Sequence, residues 1–478
     1  MPEYTRRWAA QQFGDEHASE IADLVTTYTR YNSRRKPELL APETYSLTQY
    51  REAETVVADY NALLERAERL ATSLPTNARD AFYELVLHPI QASATVNDLY
   101  VTVAKNRLYA QQGRASTNEL ADRARSLFER DAEISRYYNT QLAGGKWRHM
   151  MDQTHIGYTY WQEPSRNMMP RVDVIQVPVP AEMGVFTEGM DRPGPPGAPP
   201  SGGDLSLPEA DPYLRQHRFI EIYNKGQTPF NFTVHASEPW VTVTPKSGTV
   251  KQDVRLEVTI DWDHAPRGRH DVPISITGPG RPVAVRSIVN NPAGPSRDEI
   301  IGFVESNGYV SIEAEHYARA VGSGSIRWER IPDFGRTLSG MTTAPGTSAS
   351  QARGGDSPRL EYPVFLFDSG TVELRAYVSP TLNFSANPSG LRYAVSIDDE
   401  APQVVNSLPD TSNAAWEKSV AENIRVATSR HRVSRSGPHM LKFWMVDPGV
   451  VVQRLVIDAG GLRPSYLGPP ESYHRLPR

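Results

Sequence analysis

The sequence predicts a multidomain α and β protein: an N-terminal antiparallel helical bundle, then an immunoglobulin-like β-sandwich, then a C-terminal jelly-roll β-sandwich. Two observations carry this. Over roughly the first 150 residues, apolar side chains recur at the spacing of one helix face. Beyond about residue 218, short runs alternate apolar and polar residues between turn signals. The boundaries that follow are 1–165 for the bundle, 166–295 for the first sandwich and 296–478 for the second. A chain of 478 residues suits about two to four domains. No repeating strand–helix–strand unit occurs, which argues against a TIM barrel or a Rossmann fold.

The first helix is expected between Asp15 and Asn32, with Ala18, Ile21, Leu24, Val25 and Tyr28 on one face. A second should start near Ser46, where Ser46 and Gln49 fit a capping box. It would bury Val56, Val57, Tyr60, Leu63, Leu64, Ala67 and Leu70. A third spans about 78–111, with a kink expected at Pro89. A fourth is announced by Ser116 and Glu119 and ends at Gly144-Gly145. After Trp147 the chain turns aromatic, around Tyr158, Tyr160 and Trp161, and then strand-like through RVDVIQVPVP. Residues 192–211 are rich in proline and glycine and read as a loop or linker. RFIEIYNKG, FNFTVHAS, WVTVTP, VRLEVTIDW and VPISITG are the strands of the first sandwich. YVSIEAEHY, LEYPVFLF, VELRAYVSP, LRYAVSIDD, HMLKFWMVD and VVVQRLVID are strands of the second, whose size suits a jelly roll.

Composition narrows the chemistry. Net charge is −5 with mixed signs and no basic block, so no nucleic-acid partner is expected. The absence of cysteine excludes disulfides, thiolate nucleophiles and cysteine metal sites. No window approaches a membrane span, and MPEYTRRWAAQQFGDEHASE lacks the apolar segment of a signal peptide. No phosphate loop, zinc motif or nucleophile elbow is present. His88 falls on an apolar helix face and reads as a core histidine.

Two groups of residues could carry a site. Glu313 and Glu315 flank Ala314 on an expected strand, so both carboxylates would point to one face. A structural Ca²⁺ site, a salt-bridged edge and a catalytic pair all stay open, the last disfavoured because no aromatic sugar platform lies nearby. In the loop IPDFGRTLSGMTTAPG, residues 331–346, Arg336 stands beside Thr337 and Ser339. Such an arginine can clamp a carboxylate bidentately or bond carbonyls of its own loop. No catalytic residue is assigned.

RRKPELLAPETYSL, FYELVLHPIQASATVNDLY, HIGYTYWQEP, WVTVTPKSG, GYVSIEAEHY, GRTLSGMT and VIDAGGLRPSYLGPPES resemble the C-terminal half of glycoside hydrolase family 115, from about Tyr4 to Ser472. The resemblance implies a part of a xylan α-1,2-glucuronidase, which removes 4-O-methylglucuronic acid from glucuronoxylan with inversion. In that family the catalytic carboxylates lie mainly in an α/β domain and a TIM-like barrel that precede the bundle. The chain would then be an accessory region, inactive alone and requiring no cofactor. The implied partners are glucuronoxylan or its oligosaccharides, met through a full-length enzyme, and a second copy in a homodimer. The bundle would present an apolar face where the barrel packs, and full-length relatives would be extracellular or periplasmic. Arg336, Thr337 and Ser339, together with Asn32, Arg34 and Arg35, become contacts to substrate or interface. SIEAEHY also resembles the opening strand of carbohydrate-binding modules of families 6 and 35, which implies Ca²⁺ at Glu313, Glu315 and Asp458. An independent carbohydrate-binding or adhesive module is the alternative reading.

Overall fold

A computed structural model describes residues 2–158, 162–190 and 205–476. The expectations for Tyr160, Trp161 and most of the 192–211 stretch lie outside the described residues. The chain divides into two compact units. One comprises residues 1–28, 37–292 and 464–466, and the other 29–36, 293–463 and 467–478.

In the first unit the helices are α1 (Pro2–Phe13), α2 (Ala18–Asn32, whose last residues belong to the second unit), α3 (Glu52–Ser73), α4 (Thr76–Phe82), α5 (His88–Gln112) and α6 (Thr117–Thr140). α1 is an addition to the expected set. α5 is buried almost all round, so its sequence lacks a clean polar face. On α3, Val56, Tyr60, Leu63, Ala67 and Leu70 are buried as the periodicity requires, while Val57 and Leu64 are half-buried.

Three local readings need correction. Ser46 Oγ does accept from the Gln49 amide, at 3.0 Å, but this closes a turn and no helix begins there. Tyr50 and Arg51 adopt left-handed backbone, and α3 starts only at Glu52. Ser116 does not cap α6 through its side chain, and Glu119 instead accepts from Gln252. Pro89 does not break its helix. A single π-turn at Tyr83–Leu87 carries the helical backbone from α4 into α5 immediately ahead of the proline, and this local widening accommodates the residue that lacks an N–H.

RVDVIQVPVP forms no strand. Its backbone is held by side-chain amides: Asn106 exchanges bonds with the Asp173 backbone, at 2.7 and 2.9 Å, and Asn118 with that of Ile175, at 3.0 and 3.1 Å. Its two prolines, which lack donors, suit this better than a sheet ladder.

The first sandwich follows in β1 (Met183–Thr187), β2 (Leu205–Ser206), β3 (Arg218–Asn224), β4 (Phe230–Ala236), β5 (Val241–Thr244), β6 (Ser247–Val250), β7 (Asp253–Ile260), β8 (Gly268–Thr277) and β9 (Val283–Asn291). Sheets ordered β1-β3-β7-β5 and β2-β9-β8-β4-β6 enclose one core, including Ile220, Ile222, Phe232, Leu256, Ile274 and Val285. β2 and the bridge at Ala210 show that the proline-rich stretch ends in paired backbone. The strand β3 is buried on both faces. Ile220 and Ile222 face the sandwich core, while Phe219 and Tyr223 pack with Phe186 in a second cluster on the other face.

Arg114, fully buried between α5 and α6, closes that second face. It donates to Glu221 at 2.8 Å and to Asp253 at 3.0 Å, and its guanidinium lies over the rings of Tyr109 and Tyr223. Arg255 extends the network from Glu221 to Glu54 on α3. The helices and the first sandwich therefore share one unit.

The second unit contains β10 (Gly302–Val304), β11 (Tyr309–Glu313), β12 (Arg319–Val321), β13 (Arg327–Ile331), β14 (Gly340–Ala344), β15 (Arg359–Leu366), β16 (Gly370–Val378), β17 (Arg392–Ile397), β18 (Gln403–Asn406), α7 (Asn413–Glu422), β19 (Arg425–Val433), β20 (Gly437–Met445), β21 (Val452–Asp458) and β22 (His474–Arg475). One sheet runs β18-β17-β20-β15-β10-β22 with β12 on β15, and the other β13-β14-β21-β16-β19 with β11 on β21. Ile312, Leu360, Leu374, Tyr393, Phe443 and Leu455 sit in the core they share.

Candidate functional site

The site is built from the turn after α2 and the loop between β13 and β14, both within the second unit. Ser33 Oγ donates to the Gly335 carbonyl at 2.5 Å, and Arg30 pairs with Asp333 at 3.0 Å. The Ser33 carbonyl in turn accepts from Asn423 Nδ2 at 3.1 Å, and Arg35 stands 3.9 Å from Glu422. The two segments singled out in the sequence, residues 32–36 and the loop 331–346, thus meet, although about 300 residues separate them.

The geometry of the loop is tightly set. Gly335 has φ +105°, and a Cβ there would fall 2.5 Å from the Gln453 side chain, so this position needs glycine. Gln453 Oε1 accepts the Arg336 amide at 2.9 Å, while its Nε2 donates to Ser379. Ser339 Oγ accepts from the Asp333 amide at 3.3 Å, and Thr337 donates to Glu313 Oε2 at 2.9 Å. Arg336 and Arg34 are both buried, and the Arg34 guanidinium lies 4.2 Å from the Tyr31 ring centroid. A guanidinium held in place suits bidentate recognition of a carboxylate, because the fork is already oriented, and the Arg34 fork is held against the Tyr31 ring.

Glu313, Glu315 and Asp458 do not converge, and they do not fit a calcium ion. β11 ends at Glu313, so the alternation expected to align Glu315 with it stops there. Glu313 lies opposite Arg454 in the β11–β21 register, and Asp458 lies opposite Tyr309. Four strand positions, about 13 Å, separate the two acids. Arg454 donates to Glu313 and gives two further bonds, each 2.9 Å, to the carbonyls of Leu467 and Pro469. Burial works against this charge, but the Glu313 carboxylate holds the guanidinium pKa above its ordinary value. A fixed cation therefore already serves the oxygens that a calcium ion would need. Glu315 faces Arg330 and His316, at 3.4 and 3.8 Å, and Asp458 faces Arg375 at 3.4 Å. Of the three open readings, the ion-paired edge is the arrangement observed.

Sequence reasoning missed Gln453, and it singled out the segments of Ser33 and Asp333 without giving either residue a role. No local pattern marks these roles, since each residue acts on a segment far away in the chain.

A separate cavity of about 410 Å³ in the helical part is lined by residues that include Tyr83, Gln91, Arg130, Glu133 and Tyr137. Leu85 and Tyr137 are exposed on these helices. His88, against Tyr83 and Tyr138, is pushed down to about pKa 4, first by burial and also by the neighbouring His155. Here the folded state resists protonation more than the unfolded chain does. Stability is therefore full above the ordinary imidazole value and falls as pH drops from 6.5 towards 4. His155, held by Asp131 at 2.9 Å against the cost of burial, is shifted the other way. We expect H88F to lose about 1–2 kcal/mol less than the parent between pH 7 and pH 5 in urea titrations. Parallel curves for the two proteins would contradict this.

Residues 302–471 match the model of the glycosyl hydrolase family 115 C-terminal domain, and residues 1–39 match that of glycosyl hydrolase family 115. Residues 218–281 match a viral BACON domain. A search of curated protein sequences returns no match. Among solved structures, BtGH115A is described as a family GH115 4-O-methyl-α-glucuronidase with specificity for decorated arabinogalactans. It aligns over 95% of this chain and 41% of its own, at 14% identity and a TM-score of 0.51. The present chain thus spans about two fifths of that relative. The C-terminal family 6 module of LamC from Zobellia galactanivorans covers 31% of this chain and 98% of its own, at 17% identity and a TM-score of 0.21. A family 35 module from Clostridium thermocellum covers 31% and 96%, at 12% identity and a TM-score of 0.21.

Proposed function

We propose that this chain, which matches the glycosyl hydrolase family 115 C-terminal domain at residues 302–471 and the family model at residues 1–39, is the accessory region of an α-glucuronidase and cuts no glycosidic bond alone. The observation that carries the reading is the joining of two arginine-bearing segments through Ser33 and Gly335. In the whole enzyme, Arg336 with Thr337 and Ser339, and Asn32 with Arg34 and Arg35, contact the uronate carboxylate or the catalytic domain of the same or a partner chain. The substrate class is a polysaccharide bearing 4-O-methylglucuronic acid. Glucuronoxylan is the first choice, and the specificity of BtGH115A makes decorated arabinogalactan the competitor.

The test is release of 4-O-methylglucuronic acid from both polymers, by this chain and by a full-length family member. The expected result is no release by the chain alone, and at least a tenfold loss of kcat/KM in the full-length enzyme when the equivalent of Arg336 becomes alanine. Turnover by the isolated chain, or an unchanged rate in the variant, would refute the proposal. Retention of the isolated chain on insoluble xylan would favour the independent binding module. None of the described tryptophans is exposed, which weighs against the stacking platform such a module uses.

A further inference from the structure

We propose that the second unit carries a binding site for a late first-row divalent cation, Zn²⁺ above all, formed by His316, Glu471 and His474. Among the described residues this is the cluster whose donor atoms can share one ion, all lying within 4.8 Å of one another. The donors come from two places. His316 stands in the turn after β11, while Glu471 and His474 belong to the C-terminal tail that lies along β11 and β10. The tail is held there by Ser472, which accepts from the Ser311 amide, and by the pairing of His474 with Phe303.

Each donor is already aimed. His316 Nδ1 lies 2.8 Å from one Glu471 oxygen and 3.1 Å from the other. The second ring nitrogen of His316 faces Glu315, at 3.8 Å, and the Glu313 amide donates to Glu471 at 2.9 Å. His474 stacks on Phe303 with centroids 4.4 Å apart, and its ring centroid is 5.2 Å from that of His316. Its Nδ1 turns towards the Ser472 carbonyl, at 3.4 Å, which leaves Nε2 for the ion. Outer partners that orient ligating histidines and carboxylates in this way are what metal sites use. An ion pair between His316 and Glu471 would not need the second imidazole. Arg454 feels the Glu471 charge but is paired directly with Glu313.

Two imidazoles and one carboxylate select Zn²⁺ and its neighbours over Ca²⁺ or Mg²⁺, which prefer all-oxygen shells. The three donors are half-buried, so a fourth position is left to solvent. Because the ligands come from the tail and from the body of the sandwich, the ion would clasp the tail to β11.

The full chain, stripped with EDTA and titrated with ZnCl₂ by calorimetry, should take up one equivalent with micromolar or tighter affinity. Its Tm should rise on loading. H316A and H474A should each weaken uptake at least tenfold and remove the Tm shift, whereas CaCl₂ should shift nothing. Should the variants fold poorly, Co²⁺ added to the parent protein should give the visible bands of a low-coordinate nitrogen–oxygen site. Absence of stoichiometric Zn²⁺ uptake, unchanged uptake by both variants, an equal response to CaCl₂, or a Co²⁺ spectrum like that of the free ion would each overturn the proposal. None of these outcomes depends on glucuronidase activity.

Discussion

Arg454→Met should destabilise the C-terminal unit by about 3–5 kcal/mol, the usual cost of removing one partner of a buried ion pair. Glu313 and Arg454 face each other across β11 and β21, and both are nearly excluded from solvent. Without the guanidinium, the Glu313 carboxylate keeps the Thr337 hydroxyl and loses its counter-charge. The carbonyls of Leu467 and Pro469 lose the guanidinium bonds at the same time, although Pro469 keeps the Ser311 hydroxyl, so the tail should loosen with the strand. Removing both charges should be far milder, because no lone charge is left buried. R454M/E313L should recover most of the loss. A control is Arg375, whose pairing with Asp458 is part-exposed and worth at most about 1 kcal/mol. Denaturant titration followed by a probe in the C-terminal unit measures all three. The argument fails if R454M and R375M behave alike. Two units in one chain call for a local probe, since a single global transition is not assured.

The second large effect is expected at Arg114, where methionine should cost the first unit about 3–5 kcal/mol. Arg114 is the largest fully buried side chain among the described residues. Its loss leaves Glu221 buried with one remaining cation, Arg255, and takes the guanidinium from between the Tyr109 and Tyr223 rings. The consequence is specific: amide exchange should rise both in β3 and β7 and at the adjoining end of α5, because this one side chain donates to Glu221, Asp253 and Gln112. Faster exchange confined to the strands would contradict that role. Burial tends to raise the pKa of Glu221, but Arg114 and Arg255 together hold it below the ordinary carboxylate value. Its contribution is therefore complete at neutral pH, and is lost as the solution is acidified below about 4.5 and through the folded-state value.

Much of the fold was legible because it follows from period. Val56, Tyr60, Leu63, Ala67 and Leu70 recur at helical spacing and are buried. FNFTVHA alternates by two residues, and its strand buries alternate side chains. Local signals failed where a distant group intervened. Ser46 bonds within a turn because two left-handed residues delay α3, and RVDVIQVPVP stays out of both sheets because Asn106 and Asn118 satisfy its backbone. The candidate site was legible as types of residue only. Arg336 could be suspected from its glycine-rich loop, but nothing local places Ser33 against Gly335 or Gln453 behind Arg336.

The sequence by itself determined the order of a helical part followed by two β parts and most of their longer elements, because periodicity and turn chemistry act over a few residues. It also determined the family resemblance, which rests on the order of residues alone. Tertiary structure decided what each charged group does. A carboxylate such as Glu313 is a metal ligand, a catalyst or half of an ion pair according to what stands within about 3 Å of it, and here a strand register 141 residues distant put Arg454 there. Electrostatics and hydrogen bonding fall off over ångströms in space, not over positions in the chain, and that is why function at this site is written in the packing.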